Sequence, residues 1–167
     1  HRPLGHQQVC PRVAQPPGAS RPRGDPHQGL AAPPGDPLLD AGMRDIVAGV
    51  YWDPAAVAAL RLARHDETVT VTVGGRHRYA DDATGPLRLS GRVRRITDGR
   101  FRALGPVYAR MQQHLGACVV FDTGAATLLI ADRRMEGFDA GMFTHAGVDP
   151  ATARYVLVFS RVGYRAG

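Results

Sequence analysis

Neither lysine nor asparagine occurs anywhere in this 167-residue chain, so all 21 of its basic residues are arginines. Such a bias, alongside abundant Ala, Gly and Pro, is what GC-rich coding produces, and it weakens the meaning of the +6 net charge and the isoelectric point near 10.1. A basic balance is the electrostatic footprint of nucleic-acid-binding proteins, yet four of the arginines fall within the first 23 residues, in a segment not expected to fold. No apolar segment approaches the roughly 20 residues of a membrane span. The N-terminus also lacks the apolar core of a signal peptide. Together these absences predict a soluble, cytoplasmic protein with no membrane partner. With only two cysteines, Cys10 and Cys118, a disulfide framework is excluded. Cys118, beside Val119 and Val120, reads as a buried thiol.

Recognisable catalytic signatures are missing too. There is no P-loop, no three-glycine nucleotide fingerprint, no H-E-x-x-H and no nucleophile elbow. Of His65, His77, His114 and His145, none has a second ligand at metal spacing, and His1, His6 and His27 are no better placed. Ser160 has no histidine after it to serve as a base. A catalytic site complete within this chain is therefore not expected.

What is present centres on Arg44 to Arg64. Ile46, Val47, Val50, Tyr51 and Trp52 form a short apolar run of the length of a buried strand, and Asp53 with Pro54 then supplies an N-cap and a proline at the first helical position. Val57, Leu60 and Ala63 set one apolar stripe on the helix that follows, with Arg61 and Arg64 outward. Glu67 to Val73 alternates Val69, Val71 and Val73 with Thr68, Thr70 and Thr72, a half-exposed strand. The loop after it carries His77, Tyr79, Asp81 and Asp82, which reads as a solvated turn rather than an acid–base pair or metal site.

Leu87 to Thr97 alternates again, and a change of phase predicts a bulge at Arg94 and Arg95. Asp98 and Gly99 predict a hairpin turn, with Phe101 and Leu104 on a short return strand. Val107 to Leu115 suits a strand or a helix; strand is favoured. Ala117 to Asp122 and Ala126 to Ala131 predict a hairpin turning at Thr123 and Gly124. Asp139 to Ala146 predicts a short helix with Met142 and Phe143 inward, Asp149 and Pro150 repeat the helix-start signal, and Tyr155 to Phe159 reads as a last strand.

The sum is an α/β domain, with α+β as the alternative: a strand-rich mixed sheet carrying two or three short helices. At this length one domain can bury roughly two-thirds of its unfolded surface. From His1 to Pro37 there are nine prolines and five glycines and almost no apolar periodicity, so residues 1–33 are expected to be a disordered tail and 34–167 the folded domain. The first residue is His rather than Met, and the chain is expected to be either a fragment or a conceptual translation whose beginning is unreliable.

Several short patterns also stand in a particular order. Pro34, Gly35 and Asp36 make a turn; Asp53 and Pro54 followed by Ala56 and Val57 mark the strand-to-helix step. Gly85, Pro86 and Leu87 lead to Gly91, Arg92 and Val93, then to Asp98, Gly99 and Phe101, then to Gly105 and Pro106. Arg133 and Arg134, Phe143, and Gly147 to Pro150 complete the series. In order and spacing this resembles the C-terminal domain of the microcystin-degradation metallopeptidases, the MlrC-like proteins. Three places depart from the pattern: Gly29, Leu30, Ala31 and Ala32 replace a glycine-rich run, the helix between the Pro-Gly-Asp turn and Gly42 is shortened to little more than Leu38, Leu39 and Asp40, and Gly163 and Tyr164 stand where the family has His-Phe after Ser160.

The resemblance implies the non-catalytic C-terminal portion of a two-domain zinc peptidase that hydrolyses peptide or amide bonds. It implies further that the metal ligands lie in a larger N-terminal domain missing from this chain, so that the chain alone holds no cofactor and is inactive, while the full-length protein holds zinc and takes the peptide substrate. An orphaned domain should leave apolar surface uncovered, and the candidates are Pro34 to Asp36 and the final strand from Tyr155 to Tyr164. The alternative is a stand-alone basic module that offers Arg88, Arg92 and Arg94 to an anionic partner. Nucleic acid is not the expected partner, because no aromatic residues are interleaved for base stacking.

Overall fold

The computed structural model describes residues 42–74, 86–106 and 108–158, all within the unit 32–167. The expected tail and its boundary at residue 33, Pro34 to Asp36, the His77 to Asp82 loop, and everything after Val158 lie outside the described residues. Among the described residues there are eight strands: β1 (Ile46–Trp52), β2 (Thr68–Val73), β3 (Leu87–Thr97), β4 (Arg100–Arg102), β5 (Gln112–His114), β6 (Cys118–Asp122), β7 (Ala126–Ala131) and β8 (Tyr155–Val158). Two short helices, α1 (Pro54–Leu60) and α2 (Gly141–Thr144), and a 3₁₀ turn at Pro150–Thr152 complete the secondary structure of the described residues. Six strands form one mixed sheet in the order β2-β3-β6-β7-β1-β8, with β1 parallel to both β7 and β8 and the remaining pairs antiparallel.

β1 lies between β7 and β8 and is covered on both faces, so its side chains are apolar almost throughout. Ile46 and Ala48 join Val57, Leu60, Val71, Leu89, Phe121 and Ile130 under α1, whereas Val47 and Val50 join Phe101, Leu115, Val120, Leu129, Met142 and Phe143 on the opposite face. That second cluster stops short of β2 and β3. There Thr68, Thr70 and Thr72 stand opposite Arg92, Ser90 and Arg88 in solvent.

The Asp53 carboxylate caps α1 by accepting from Ala56 N at 2.9 Å, as the Asp-Pro step predicts, and its second oxygen accepts from Gly74 N at 2.9 Å. One buried side chain thus ties the start of the helix to the end of β2. The helix closes at Leu60, one residue short of Arg61, by i→i+3 bonds from Leu62 and Ala63. Asp53→Ala is expected to cost about 2 kcal/mol in chemical denaturation, above the ~1 kcal/mol typical of an exposed cap, because a second amide loses its partner in a buried site. An unchanged unfolding midpoint would refute that dual role.

Four expectations need correction. Phe101 does not return along β3, because β4 pairs with β5 in a separate two-stranded sheet and β3 is already flanked by β2 and β6. Leu104 accordingly lies outside any strand and in solvent. Only Gln112–His114 of the expected strand over Val107 to Leu115 is formed, since Tyr108 to Arg110 turn back on Ala103. Asp149 caps a single 3₁₀ turn rather than an α-helix. The expected bulge is present: the β3–β6 register shifts between Val93 and Arg95. So is the β6–β7 hairpin, closed by Thr123 and Ala126.

Candidate functional site

At the end of the sheet where β3 and β7 finish and β6 starts, an open depression of about 590 Å³ is lined by Thr97, Asp98, His114, Gly116, Asp132 and Arg133, among others. β7 is also one of the parallel strands, and the carboxyl ends of such strands are where ligands commonly bind in α/β sheets. Arg133 Nη1 lies 2.8 Å from His114 Nδ1. A guanidinium can only donate, so His114 accepts at Nδ1 and carries its proton on Nε2. Trp52 Nε1 donates to the Asp132 carbonyl at 3.2 Å, and the Arg134 guanidinium lies 5.9 Å from the Trp52 ring centroid. Asp132 Oδ1 is buried without a hydrogen-bond partner, pressed against Gly116 at φ +73°. A Cβ on Gly116 would occupy the place of that oxygen.

Beneath this depression the fold brings together Cys118, Thr97 and His145, which sequence reasoning left unconnected. Thr97 Oγ1 is 3.1 Å from His145 Nε2, His145 Nδ1 is 3.2 Å from the Gly141 carbonyl, and Cys118, paired with Thr97 across β3 and β6, donates its thiol to the Gly116 carbonyl at 3.5 Å. A thiol, a hydroxyl and an imidazole gathered in this way resemble an activated nucleophile, but the electrostatics oppose it. Burial pushes the Cys118 thiol up from its ordinary value to about 12. At neutral pH the sulfur stays a thiol, and the thiolate is the reactive species. Native Cys118 is expected to resist iodoacetamide at pH 8 and to label fully in denaturant, as read by peptide mass spectrometry; rapid native labelling would reverse this assignment.

The expected anion-binding arginines separate into two groups. Arg88 and Arg92 share the solvent face with the threonines, and Arg92 Nε reaches Thr68 Oγ1 at 3.4 Å. Arg94, at the bulge, is engaged by Asp66 at 2.6 Å and by Asp122 at 2.9 Å. Its guanidinium is held charged by hydrogen bonds to Asp122 and then Asp66. Among the described histidines, His65 sits beside Asp66 at 3.1 Å, His114 beside Arg133 and His145 beside Thr97. No group of three or more His, Cys, Asp or Glu among the described residues could hold a metal ion.

A buried carboxylate on the other flank went unnoticed in the sequence. The short helix expected over Asp139 to Ala146 is present as α2, with Met142 and Phe143 buried; Ala140 holds the N-cap position without a side-chain bond, and Asp139 accepts from Gly141 N (2.6 Å) at the start of the helix and also from Leu104 N (2.9 Å) and Gly105 N (2.7 Å).

Residues 36–167 match the family described as the MlrC C-terminus. The chain belongs to that family. Within it, the chain is 28% identical over 131 residues to Microcystinase C of Sphingomonas sp., covering 78% of this chain and 24% of that protein. A crystal structure of a candidate metallopeptidase from Mesorhizobium sp. BNC1 is similar with a TM-score of 0.69 and 26% identity, over 77% of this chain and 25% of that one. This MlrC C-terminus chain therefore spans about a quarter of the length of the relatives it matches. No helix among its described residues is long and apolar enough to cross a membrane.

Proposed function

We propose that this chain is the non-catalytic C-terminal portion of an MlrC-like zinc metallopeptidase that cleaves peptide or amide bonds, the metal and the catalytic residues being carried by another part of the polypeptide. The observation that carries this reading is coverage: the chain aligns with one quarter of Microcystinase C and one quarter of the Mesorhizobium protein. Support also comes from Cys118, the thiol gathered with Thr97 and His145, which burial pushes up to about 12. Cytoplasmic residence is part of the same reading, supported by Cys118 as an unpaired buried thiol. The purified chain is expected neither to bind stoichiometric zinc nor to hydrolyse a peptide, by elemental analysis and a cleavage assay. Both together would overturn the proposal.

A second reading has one observation in its favour: Arg88 and Arg92 stand in a strip of hydroxyls on an open sheet face. It casts the chain as a stand-alone module for an anionic partner. Arg94, already held by two carboxylates, contributes little to such a face. Titration with a nucleic acid separates the readings, since phosphate contacts require affinity to fall steeply with salt.

A further inference from the structure

Leu104, Tyr108 and Met111 are exposed at 66, 41 and 57%, and all three lie on the connection between β4 and β5. The other exposed large apolar residues among those described, Trp52, Leu62, Ile96 and Val156, are dispersed over separate segments. This apolar tip is firmly held. Asp139 accepts from the amides of Leu104 and Gly105, Ala103 N donates to Met111 O, Arg110 N to Ala103 O and Met111 N to Tyr108 O. The Tyr108 ring packs on Phe138 with centroids 4.7 Å apart. Arg110 adopts φ +62°, which a non-glycine residue does at a cost. A buried carboxylate and a strained residue thus fix a connection on which three large apolar side chains remain substantially exposed.

Two exposed arginines flank the tip, and the carboxylate beneath it, Asp139, is buried on backbone amides. Arg102, opposite Gln112, and Arg110 are both exposed beside the tip, while the neighbouring Arg100 is shared with Asp98. We infer that the Leu104–Tyr108–Met111 tip is a docking surface that seats in an apolar, acid-rimmed recess on the catalytic part of the same polypeptide. The inference rests on the proposed function above, and it assigns the contact by which the two parts are joined. Apolar anchors at the centre with charge at the rim are the usual anatomy of such a contact. A second copy of this chain is the poorer occupant, because pairing two tips about a two-fold axis would set Arg102 and Arg110 against their own counterparts.

Hydroxyl-radical footprinting of the complete gene product against this chain alone tests the assignment. Met111 and Tyr108 are expected to oxidise several-fold more slowly in the complete product, with Leu62, on a different segment, unchanged. The double substitution Leu104→Ser with Met111→Ser should restore Tyr108 oxidation in the complete product without altering the unfolding midpoint of this chain alone. Equal oxidation of the tip in both contexts overturns the docking surface, as does self-association of this chain that buries it. If metal-dependent peptide hydrolysis by the complete product accompanies an unprotected tip, the docking surface alone is wrong; if that hydrolysis is absent, the proposed function falls and the docking surface with it.

Discussion

Replacing Asp139 by Ala is expected to lower the stability of the chain by about 3–5 kcal/mol, because three backbone amides lose a charged acceptor and an unsatisfied buried donor costs about 1–3 kcal/mol. The full sum of three is not expected, since release of the β4–β5 connection would let water reach Leu104 N and Gly105 N. For a domain of this size the shift corresponds to roughly 10 °C in melting temperature. Asp149→Ala is the matched control: its carboxylate accepts one amide, that of Ala151, at an exposed 3₁₀ turn, and about 1 kcal/mol or less is expected there. Chemical denaturation of the two variants decides the matter. If Asp139→Ala fell within 1 kcal/mol of the parent, the carboxylate would not be holding the connection in place.

Gly91→Val should be comparably damaging for a different reason. Gly91 lies mid-strand in β3, in ordinary extended backbone, and needs no left-handed conformation. A Cβ there would run into the carbonyl oxygen of Asp122 and come within 3.0 Å of the Phe121 ring. That carbonyl belongs to the neighbouring strand β6, paired through Arg92 with Asp122, so it cannot turn away without opening the ladder. We expect a loss of about 3 kcal/mol or more, the upper end of what overpacking costs. Gly74→Ala separates sterics from backbone preference: Gly74 has φ +75° but open space around it, so only the conformational penalty of about 1 kcal/mol applies. Should both variants unfold alike, close approach of the strands is not what Gly91 provides.

These two sites also mark the limits of what could be read along the chain. Gly91 was legible as part of a short ordered pattern, Gly91, Arg92 and Val93, although its purpose was not. Asp139 was legible as the beginning of a short helix, but the two amides it takes from the β4–β5 connection, 34 and 35 residues away, were not. The arginine face was half legible: the alternation of β3 correctly put Arg88 and Arg92 outward, but the carboxylates that take up Arg94 come from Asp66 and from Asp122, 28 residues away on either side.

Local information determined the elements with their own signature. The Asp53–Pro54 step, the Val–Thr alternation of β2, the bulge of β3 and the Thr123–Gly124 turn of the β6–β7 hairpin all follow from periodicity and turn chemistry within about ten residues, and so does the strand-rich mixed class to which they add up. Tertiary structure alone decided the pairing. Asp98–Gly99 is as good a hairpin signal as any in the chain, yet β6, with its fully buried Val119 and Phe121, takes the edge of β3 that the return strand would have used. Burying that β6–β7 pair gains more apolar contact than a three-residue strand could offer. β4 is thereby displaced to pair with β5, and the connection between them, Leu104, Tyr108 and Met111 included, is left in solvent.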